Sequence, residues 1–236
     1  MRHPSSIHPE NFGLTRNSRP VRRPRRRALT RSWDGNSGSH KAMGSSFAES
    51  RLENDAHILL SADPKVKSFA VQPHQLVYWA PNPHGEMTKS VYTPDLVVLG
   101  ADQLIRIIEV KAAYFAEQDR WKRIEPYIRE AYALDHGVSF HLFTEHEIRQ
   151  QPRLSNAQIM VSHRPPPADD QAAIVLRHLL DDLIQTTIGA LCERAAALNI
   201  DGRRAFSAVM RLGLSGEARL DLSRPISGAT PLSRAR

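Results

Sequence analysis

Two short β-rich segments separated by four residues constrain the fold of this chain more than any other feature. They are Leu96-Val-Val-Leu99 and Leu104-Ile-Arg-Ile-Ile-Glu-Val110, and the residues between them are Gly100-Ala-Asp-Gln. A connection of this length and composition is typical of a tight antiparallel turn. The two segments are therefore predicted to pair as neighbouring strands of one sheet.

Charged residues stand at one end of this predicted hairpin. Asp95, in Thr93-Pro-Asp95, begins the first strand, and Glu109-Val-Lys111 ends the second. Side chains alternate between the two faces of a strand, so Glu109 and Lys111 project to the same side. Antiparallel pairing brings Asp95 to the end that carries Glu109. Two carboxylates and one ammonium are thus expected close together.

Such a cluster suits metal-dependent hydrolysis of a phosphodiester bond. Carboxylate oxygens are hard ligands, which Mg²⁺ accepts together with water and phosphate oxygens. A metal ion lowers the pKa of a bound water and stabilises negative charge on the scissile phosphate. Lys111 would orient or deprotonate the attacking water.

A purely structural interpretation of these residues is also open. Asp95 would cap a turn after Pro94, and Glu109 and Lys111 would form an ordinary exposed pair. This interpretation leaves the charges unexplained, because Arg106-Ile-Ile-Glu-Val-Lys111 is otherwise apolar and burial of charge is costly.

The apolar pattern around the hairpin predicts an α/β domain with a mixed sheet flanked by helices. One helix is predicted at residues 47–62, capped by Ser45 or Ser46, and another at 115–134, ended by Gly137. The other predicted elements are strands at 66–71, 76–79 and 138–143, a turn at Asn82-Pro-His-Gly85, and a short helix from Glu145.

Positive charge is concentrated in the first 42 residues. They hold ten Lys and Arg against Glu10 and Asp34, whereas the rest of the chain has 22 basic and 23 acidic side chains. The densest run, Arg19-Pro-Val-Arg-Arg-Pro-Arg-Arg-Arg27, has no apolar periodicity, and its prolines oppose helix and sheet formation. Residues 1–42 are therefore predicted to form a disordered basic arm. Its ligand would be a polyanion such as the DNA backbone, or the arm would be a solvated tail that binds nothing.

Residues 43–161 are predicted to form the nuclease domain, and Pro165-Pro-Pro167 marks residues 162–171 as a linker. Residues 172–236 are predicted to form a small helical or winged-helix module. Its helices are expected at 172–185, 187–198 and 203–212, followed by a short strand at 218–222 and a frayed end. No apolar stretch suits a membrane helix or a secretory signal, so an intracellular protein without a membrane partner is expected.

From about Lys41 to Met160 the sequence resembles the PD-(D/E)xK nucleases and, among them, the TnsA-like transposon endonucleases. The resemblance lies in an ordered series of motifs. They are Glu49-Ser-Arg-Leu-Glu53, Gln72-Pro73, Tyr92-Thr-Pro-Asp95, Glu109-Val-Lys111, Phe143-Thr-Glu145, Ile148-Arg149 and Asn156. A restriction-endonuclease-like fold is implied. Leu220-Asp-Leu-Ser-Arg-Pro225 is similar to the closing segment of the family.

The resemblance also implies roles for single residues. Glu53, Asp95 and Glu109 would be metal ligands together with the Val110 backbone carbonyl, and Lys111 would be the catalytic lysine. Glu49 is the alternative to Glu53 on the same helix face. Gln72 also matches a family position, for which a structural role is one interpretation. The implied cofactor is Mg²⁺, for which Mn²⁺ would substitute.

By the same resemblance, the chain is expected to be a subunit of a bacterial heteromeric transposase, acting on DNA in the cytoplasm at the nucleoid. It would cut the 5′ ends of a mobile element, while a DDE-type transposase cuts the 3′ ends. A regulatory ATPase is a further implied partner, and the C-terminal module would contact DNA or these proteins. Two alternatives stay open: a stand-alone repair or restriction-type nuclease, and a DNA-binding scaffold with an idle nuclease site.

Overall fold

A computed structural model of the protein describes residues 8–22, 35–36, 38–163 and 171–235. Contacts divide the chain into two compact units, one drawn from residues 1–60 and 65–148 and the other from 61–64 and 149–236. None of the helices in the described ranges has the length and apolar character required to cross a bilayer.

The first unit is built around a mixed sheet of four strands. Its described elements, in chain order, are a 3-10 helix at Pro9–Phe12, β1 at Gly35–Asn36, β2 at Phe47–Ala48, α1 at Arg51–Ala62, β3 at Val66–Val71, β4 at Leu76–Pro81, β5 at Met87–Tyr92, β6 at Leu96–Gly100, β7 at Ile105–Val110, α2 at Ala113–Ala116, α3 at Asp119–His136, β8 at Ser139–Phe143 and α4 at Glu145–Ile148. The four strands run in the order β3-β6-β7-β8, and only β7 and β8 are parallel.

The predicted hairpin is the centre of this sheet. β6 pairs antiparallel with β7, with Leu96 opposite Ile108 and Leu99 opposite Ile105. The predicted fold class, an α/β domain with a mixed sheet flanked by helices, is confirmed and is consistent with a restriction-endonuclease-like fold.

One face of the sheet packs against α3. Val97 and Ile107 belong to the same buried cluster as Ile128 and Tyr132 of α3, and all four side chains are fully buried. Each large apolar side chain buried in this way stabilises the fold by about 1.5–3 kcal/mol. This face therefore anchors the hairpin to the longest helix of the unit.

The opposite face of the sheet is also covered. Leu96 and Val98, the alternate residues of β6, are buried outside that cluster. Phe69 lies opposite Val98 in the sheet, and its ring centroid is 5.4 Å from that of His57 in α1. Charges at the end of this hairpin consequently lie in an interior and not on a solvated sheet face.

Three local predictions differ from the structure. β5 was not predicted, because Met87-Thr-Lys-Ser-Val-Tyr92 is polar; it forms a separate two-stranded sheet with β4, and most of its side chains are exposed. The first helix begins at Arg51 and not near Phe47, since Phe47–Ala48 pairs with Gly35–Asn36 as strand β2. Its capping side chain is Ser50, whose hydroxyl accepts a hydrogen bond from the Glu53 N–H at 3.1 Å.

Residues 8–22 form an ordered segment against the first unit, which we call the N-terminal strap. Phe12 and Leu14 are each 5% exposed and belong to the buried cluster beneath α3. Gly13 has φ 72°, and a Cβ there would lie 2.6 Å from the Cβ of Pro73, so the backbone approaches too closely for another residue. Near the end of the strap, the Val21 N–H donates a hydrogen bond to the Gln72 carbonyl at 2.9 Å.

The predicted disorder of residues 1–42 is therefore wrong for the strap and for residues 38–42. The prediction gave weight to the high charge of the segment and overlooked two apolar side chains, Phe12 and Leu14, that pack in the core. Ala42 forms a parallel β-bridge with Phe69 of β3. Most of the densest arginine run, residues 23–27, lies outside the described residues.

The second unit contains helices and a three-stranded antiparallel sheet. Its described elements after residue 148 are α5 at Arg153–Ser162, α6 at Gln171–Asp181, β9 at Thr186–Thr187, α7 at Ile188–Ala196, α8 at Gly202–Ser215, β10 at Ala218–Leu220 and β11 at Pro231–Arg234. The strand order is β10-β11-β9. The expected frayed end is wrong, because β11 pairs with both other strands and Leu232 is 2% exposed. The winged-helix form of this unit stays a prediction.

Contacts group α5 with the second unit, ahead of the linker predicted at residues 162–171. The Asn156 side chain, 1% exposed, donates to the Leu222 and Arg224 carbonyls and accepts from the Ile226 N–H. Asn156 thereby holds the closing segment. Residues 164–170 of the predicted linker, with its three prolines, lie outside the described residues.

Replacement of Phe12 by Ala is expected to destabilise the protein by about 3–5 kcal/mol, because it removes a buried aromatic ring and leaves a cavity. The matched control is Leu134→Ala, at a side chain that is 76% exposed, which should change stability by less than about 0.5 kcal/mol. Chemical denaturation measures both. Equal, small effects would show that the strap does not contribute to the core.

His57 is expected to make stability depend on pH. It is 1% exposed, and burial lowers its pKa to about 4. The unfolded chain binds this proton at pH values below about 6.5, and the folded chain binds it only near 4. Stability is therefore complete above pH 6.5 and falls by up to about 3 kcal/mol as the pH drops towards 4. The fall should be smaller in His57→Gln when unfolding is measured across this range; parallel curves would contradict the assignment.

Candidate active site

The β6–β7 register brings two carboxylates together at one end of the hairpin. Leu96 lies opposite Ile108, and one step further along the same antiparallel register Asp95 lies opposite Glu109. Asp95 is 9% exposed and Glu109 is 5% exposed. The exposed-pair interpretation fails for Glu109, and the expected proximity of Asp95 and Glu109 is confirmed.

Asp95 is held by backbone groups from two neighbouring segments. Its carboxylate accepts a hydrogen bond from the Val110 N–H at 2.9 Å, and its carbonyl accepts one from the Gln72 N–H at 2.9 Å. Burial raises the pKa of Asp95 well above its usual range, and the nearby Glu109 and Glu53 carboxylates raise it further. The Val110 hydrogen bond and the Lys111 charge oppose this rise.

Glu109 and Lys111 form an ion pair at the end of β7. The Lys111 ammonium lies 2.6 Å from Glu109 Oε1, and the Tyr92 hydroxyl donates to Glu109 Oε2. Burial, together with the neighbouring carboxylates, raises the pKa of Tyr92 well above its usual range, so the phenol stays a donor. The Lys111 ammonium also lies 4.3 Å from the ring centroid of Trp121 in α3.

Glu53 occupies the first turn of α1. Its carboxylate accepts hydrogen bonds from the Glu49 N–H at 2.9 Å and the Ser50 hydroxyl at 3.0 Å. These bonds, with the Ser50 cap, resemble a capping box. Burial raises the pKa of Glu53. The alternative ligand, Glu49, forms an ion pair with Arg22 of the strap.

Gln72 contacts the site through its backbone. It is 3% exposed and adopts φ 44°, a left-handed conformation that is uncommon for residues other than glycine. Its N–H donates to the Asp95 carbonyl, while its carbonyl accepts from Val21. Gln72 thus connects the strap to the strand end that carries Asp95, a structural role that the sequence motif left open.

The described residues do not contain a preassembled metal cluster. No group of three or more His, Cys, Asp or Glu side chains within those ranges is arranged around a single point. The physical reason is local: Glu109 is paired with Lys111, Glu53 caps α1, and Asp95 accepts from Val110.

The chemistry of the donor set nevertheless fits a divalent cation. Asp95 and Glu109 are buried here, Glu53 is close enough to raise the pKa of Asp95, and Lys111 is the ammonium beside Glu109. Ionisation of all three would leave excess negative charge in the interior, which the raised pKa of Asp95 reflects. A hard cation would neutralise that excess through oxygen ligands of the type that Mg²⁺ prefers.

Two residues that contact the cluster were not predicted to do so. Tyr92 lies at the end of β5, the strand that sequence patterns did not indicate, although it immediately precedes Thr93-Pro-Asp95. Trp121 lies in α3 and is only 9% exposed, as a core residue would be, but its ring face also contacts Lys111. The register and the packing of α3 were needed to find both.

Asp95→Asn is expected to raise the melting temperature of the metal-free protein at neutral pH. A carboxyl whose pKa rises on folding favours the neutral form in the native state, so stability falls as the pH increases through the raised pKa. Asparagine stays neutral and can still accept from Val110. The measurement is Tm at pH 7.5 in the presence of a chelator.

The matched control is Asp102→Asn in the turn of the same hairpin. Asp102 is exposed, and its hydrogen bonds to Arg106 lower its pKa to about 2, so removal of its charge should leave Tm equal or slightly lower. A lower Tm for Asp95→Asn than for wild type would overturn the account of Asp95 as a destabilising buried charge.

Comparison with protein families matches residues 63–145 to the family described as TnsA-like endonuclease N terminal. The matched residues include Asp95, Glu109 and Lys111, while Glu53 precedes them. No curated protein matches the chain. The matched residues, which contain the four-stranded mixed sheet and its buried cluster of Asp95, Glu109 and Lys111, are therefore similar to the N-terminal domain of the TnsA-like endonucleases.

Proposed function

We propose that the protein is a Mg²⁺-dependent DNA endonuclease that acts as a subunit of a heteromeric transposase and cuts the 5′ ends of a mobile element. The observation that carries this proposal is the meeting of Asp95, Glu109 and Lys111 at one end of a buried hairpin. That hairpin lies inside the residues that match a TnsA-like endonuclease family.

Asp95 and Glu109 would hold Mg²⁺, with Glu53 and the Val110 carbonyl as further ligands. Mn²⁺ would substitute for it. When bound, the ion supplies an activated water and stabilises the charge that develops on the scissile phosphate. As a metal ligand, Glu109 would lose its contact with Lys111, and Glu53 would lose hydrogen bonds at the start of α1.

Lys111 would act on the attacking water. Its side chain is 22% exposed, and its ammonium contacts both Glu109 Oε1 and the Trp121 ring. It would orient the water by donating a hydrogen bond or, in its neutral form, accept the proton that the water loses. The water oxygen then forms a bond to phosphorus as one ester P–O bond breaks, and the leaving oxygen takes up a proton.

The basic N-terminal segment would add affinity for the DNA backbone that does not depend on sequence. Residues 1–42 carry a net charge of +8 from ten Lys and Arg against two acids, and neutralised phosphates release counterions. One of these basic residues, Arg22, lies beside the site, where it forms an ion pair with Glu49. The proposed location is the nucleoid of a bacterial cell.

Within this proposal a DDE-type transposase cuts the 3′ ends, and a regulatory ATPase is a second partner. A stand-alone nuclease would use the same residues without them. The alternative of an idle site on a DNA-binding scaffold draws on one observation, the pairing of the carboxylates with groups of the chain itself.

The first test is titration calorimetry with Mn²⁺ and with Mg²⁺, which needs no partner protein. Wild type should show saturable binding that Asp95→Asn and Glu109→Gln weaken by at least about tenfold, because each removes a charged ligand. Asp102→Asn, which removes an exposed carboxylate on the same hairpin, should bind as wild type does. Equal weak binding by all four proteins, with and without duplex DNA, would favour the idle scaffold.

The second part of this test measures cleavage. With a candidate transposase and DNA that bears element ends, wild type should nick at the 5′ ends, and Lys111→Met should be slower by about 10²–10⁴-fold while it still binds Mn²⁺. Equal cleavage of plasmid DNA by the purified protein alone would favour the stand-alone nuclease.

A further inference from the structure

Two aromatic side chains contact the two groups on which the proposed mechanism depends. The Tyr92 hydroxyl donates to Glu109 Oε2, and the Trp121 ring lies under the Lys111 ammonium. We infer that Tyr92 and Trp121 are positioning residues that hold Glu109 and Lys111 in their working orientations. This inference rests on the proposed function and extends the site beyond its carboxylates and lysine. We call Tyr92 and Trp121 the aromatic clamp.

Tyr92 restricts the carboxylate of Glu109 from the side opposite the lysine. Lys111 contacts Oε1 and Tyr92 contacts Oε2, so each oxygen has a separate partner. The Tyr92 ring is itself fixed by edge contacts, with centroids 6.4 Å from Tyr132 and 6.1 Å from Phe140. A phenol anchored in this way keeps one oxygen of Glu109 in place when the other turns to a cation.

Trp121 retains the lysine when the carboxylate turns away. In the structure the Lys111 ammonium is shared between Glu109, at 2.6 Å, and the indole ring, at 4.3 Å from the centroid. An aromatic face attracts a cation within about 6 Å of its centroid. If Glu109 becomes a metal ligand, the indole contact is the one that keeps Lys111 beside the reacting water.

Hydrogen bonding does not account for an indole at position 121. The Trp121 Nε1 atom is buried and has no hydrogen-bond partner among the described residues, whereas a buried indole N–H usually finds one. The unpartnered indole N–H therefore costs stability. The ring face is the part of the side chain that makes a specific contact with a charged group, the Lys111 ammonium. That contact distinguishes Trp121 from an ordinary core residue.

The first measurement is NMR of the metal-free, full-length protein with lysine labelled by ¹³C at Cε. The ring current of Trp121 should displace the Lys111 resonance upfield from those of the other lysines, with Lys111→Arg used for assignment. Trp121→Leu should abolish the displacement and Trp121→Phe should retain part of it. Trp79→Leu, which replaces an indole that is 58% exposed, should leave it unchanged.

The second measurement is Mn²⁺ affinity by calorimetry together with cleavage kinetics. Tyr92→Phe should bind Mn²⁺ about 10–100-fold more weakly, as is found when a partner of a metal ligand is removed. Tyr127→Phe on α3 is the control and should bind normally. Trp121→Leu should keep its Mn²⁺ affinity and its KM for DNA but lose kcat, with partial recovery in Trp121→Phe. Thermal unfolding verifies that each variant is folded.

These outcomes separate the inference from the proposed function. If wild type binds no Mn²⁺ and cuts no DNA, the proposed function fails, while the NMR result still decides whether Trp121 holds Lys111. An undisplaced Lys111 resonance in wild type would overturn the role of Trp121. Wild-type Mn²⁺ affinity in Tyr92→Phe would overturn the role of Tyr92.

Discussion

The pairing of β6 with β7, buried on both faces, is the constraint on which the rest of the first unit depends. Its register places Asp95 opposite Glu109 at one end of the hairpin. The Val110 N–H then donates a hydrogen bond to the Asp95 side chain, which joins the two strand ends. A register shift of one residue would turn every side chain of the strand to the other face and disperse the cluster. The apolar residues of the hairpin thus fix the geometry of the charged cluster as well as the core.

Ionisation of all the carboxylates of the site would give it more negative charge than Lys111 neutralises. Burial and the neighbouring Glu109 and Glu53 raise the pKa of Asp95, while Lys111 and Tyr92 both contact Glu109. Without a metal, each carboxylate therefore forms a hydrogen bond or an ion pair with another group of the chain. Within the proposed mechanism, a divalent cation would compete with Lys111 for Glu109, and the aromatic clamp would limit how far both side chains move.

The strap shows how charge composition can conceal packing. The strap belongs to residues 1–42, which hold ten basic side chains and are predicted to be disordered, yet Phe12 and Leu14 join the buried cluster and Val21 bonds to Gln72. Both side chains pack among the buried residues of the sheet and α3. Gln72 in turn bonds to Asp95, so a basic N-terminal segment is joined by backbone hydrogen bonds to the strand end that carries a proposed ligand.

The sequence alone determined the central hairpin, strands β3, β4 and β8, the helix stop at Gly137 and the identity of the Asp95, Glu109 and Lys111 cluster, because these follow from local periodicity and turn chemistry. The tertiary structure alone decided which groups meet from distant segments. Examples are the Tyr92 hydroxyl on Glu109, the Trp121 ring beneath Lys111, and the strap against the sheet. Contacts of this kind depend on strand order, helix packing and burial, which a linear pattern does not encode, because each side chain is positioned by neighbours far away in the chain.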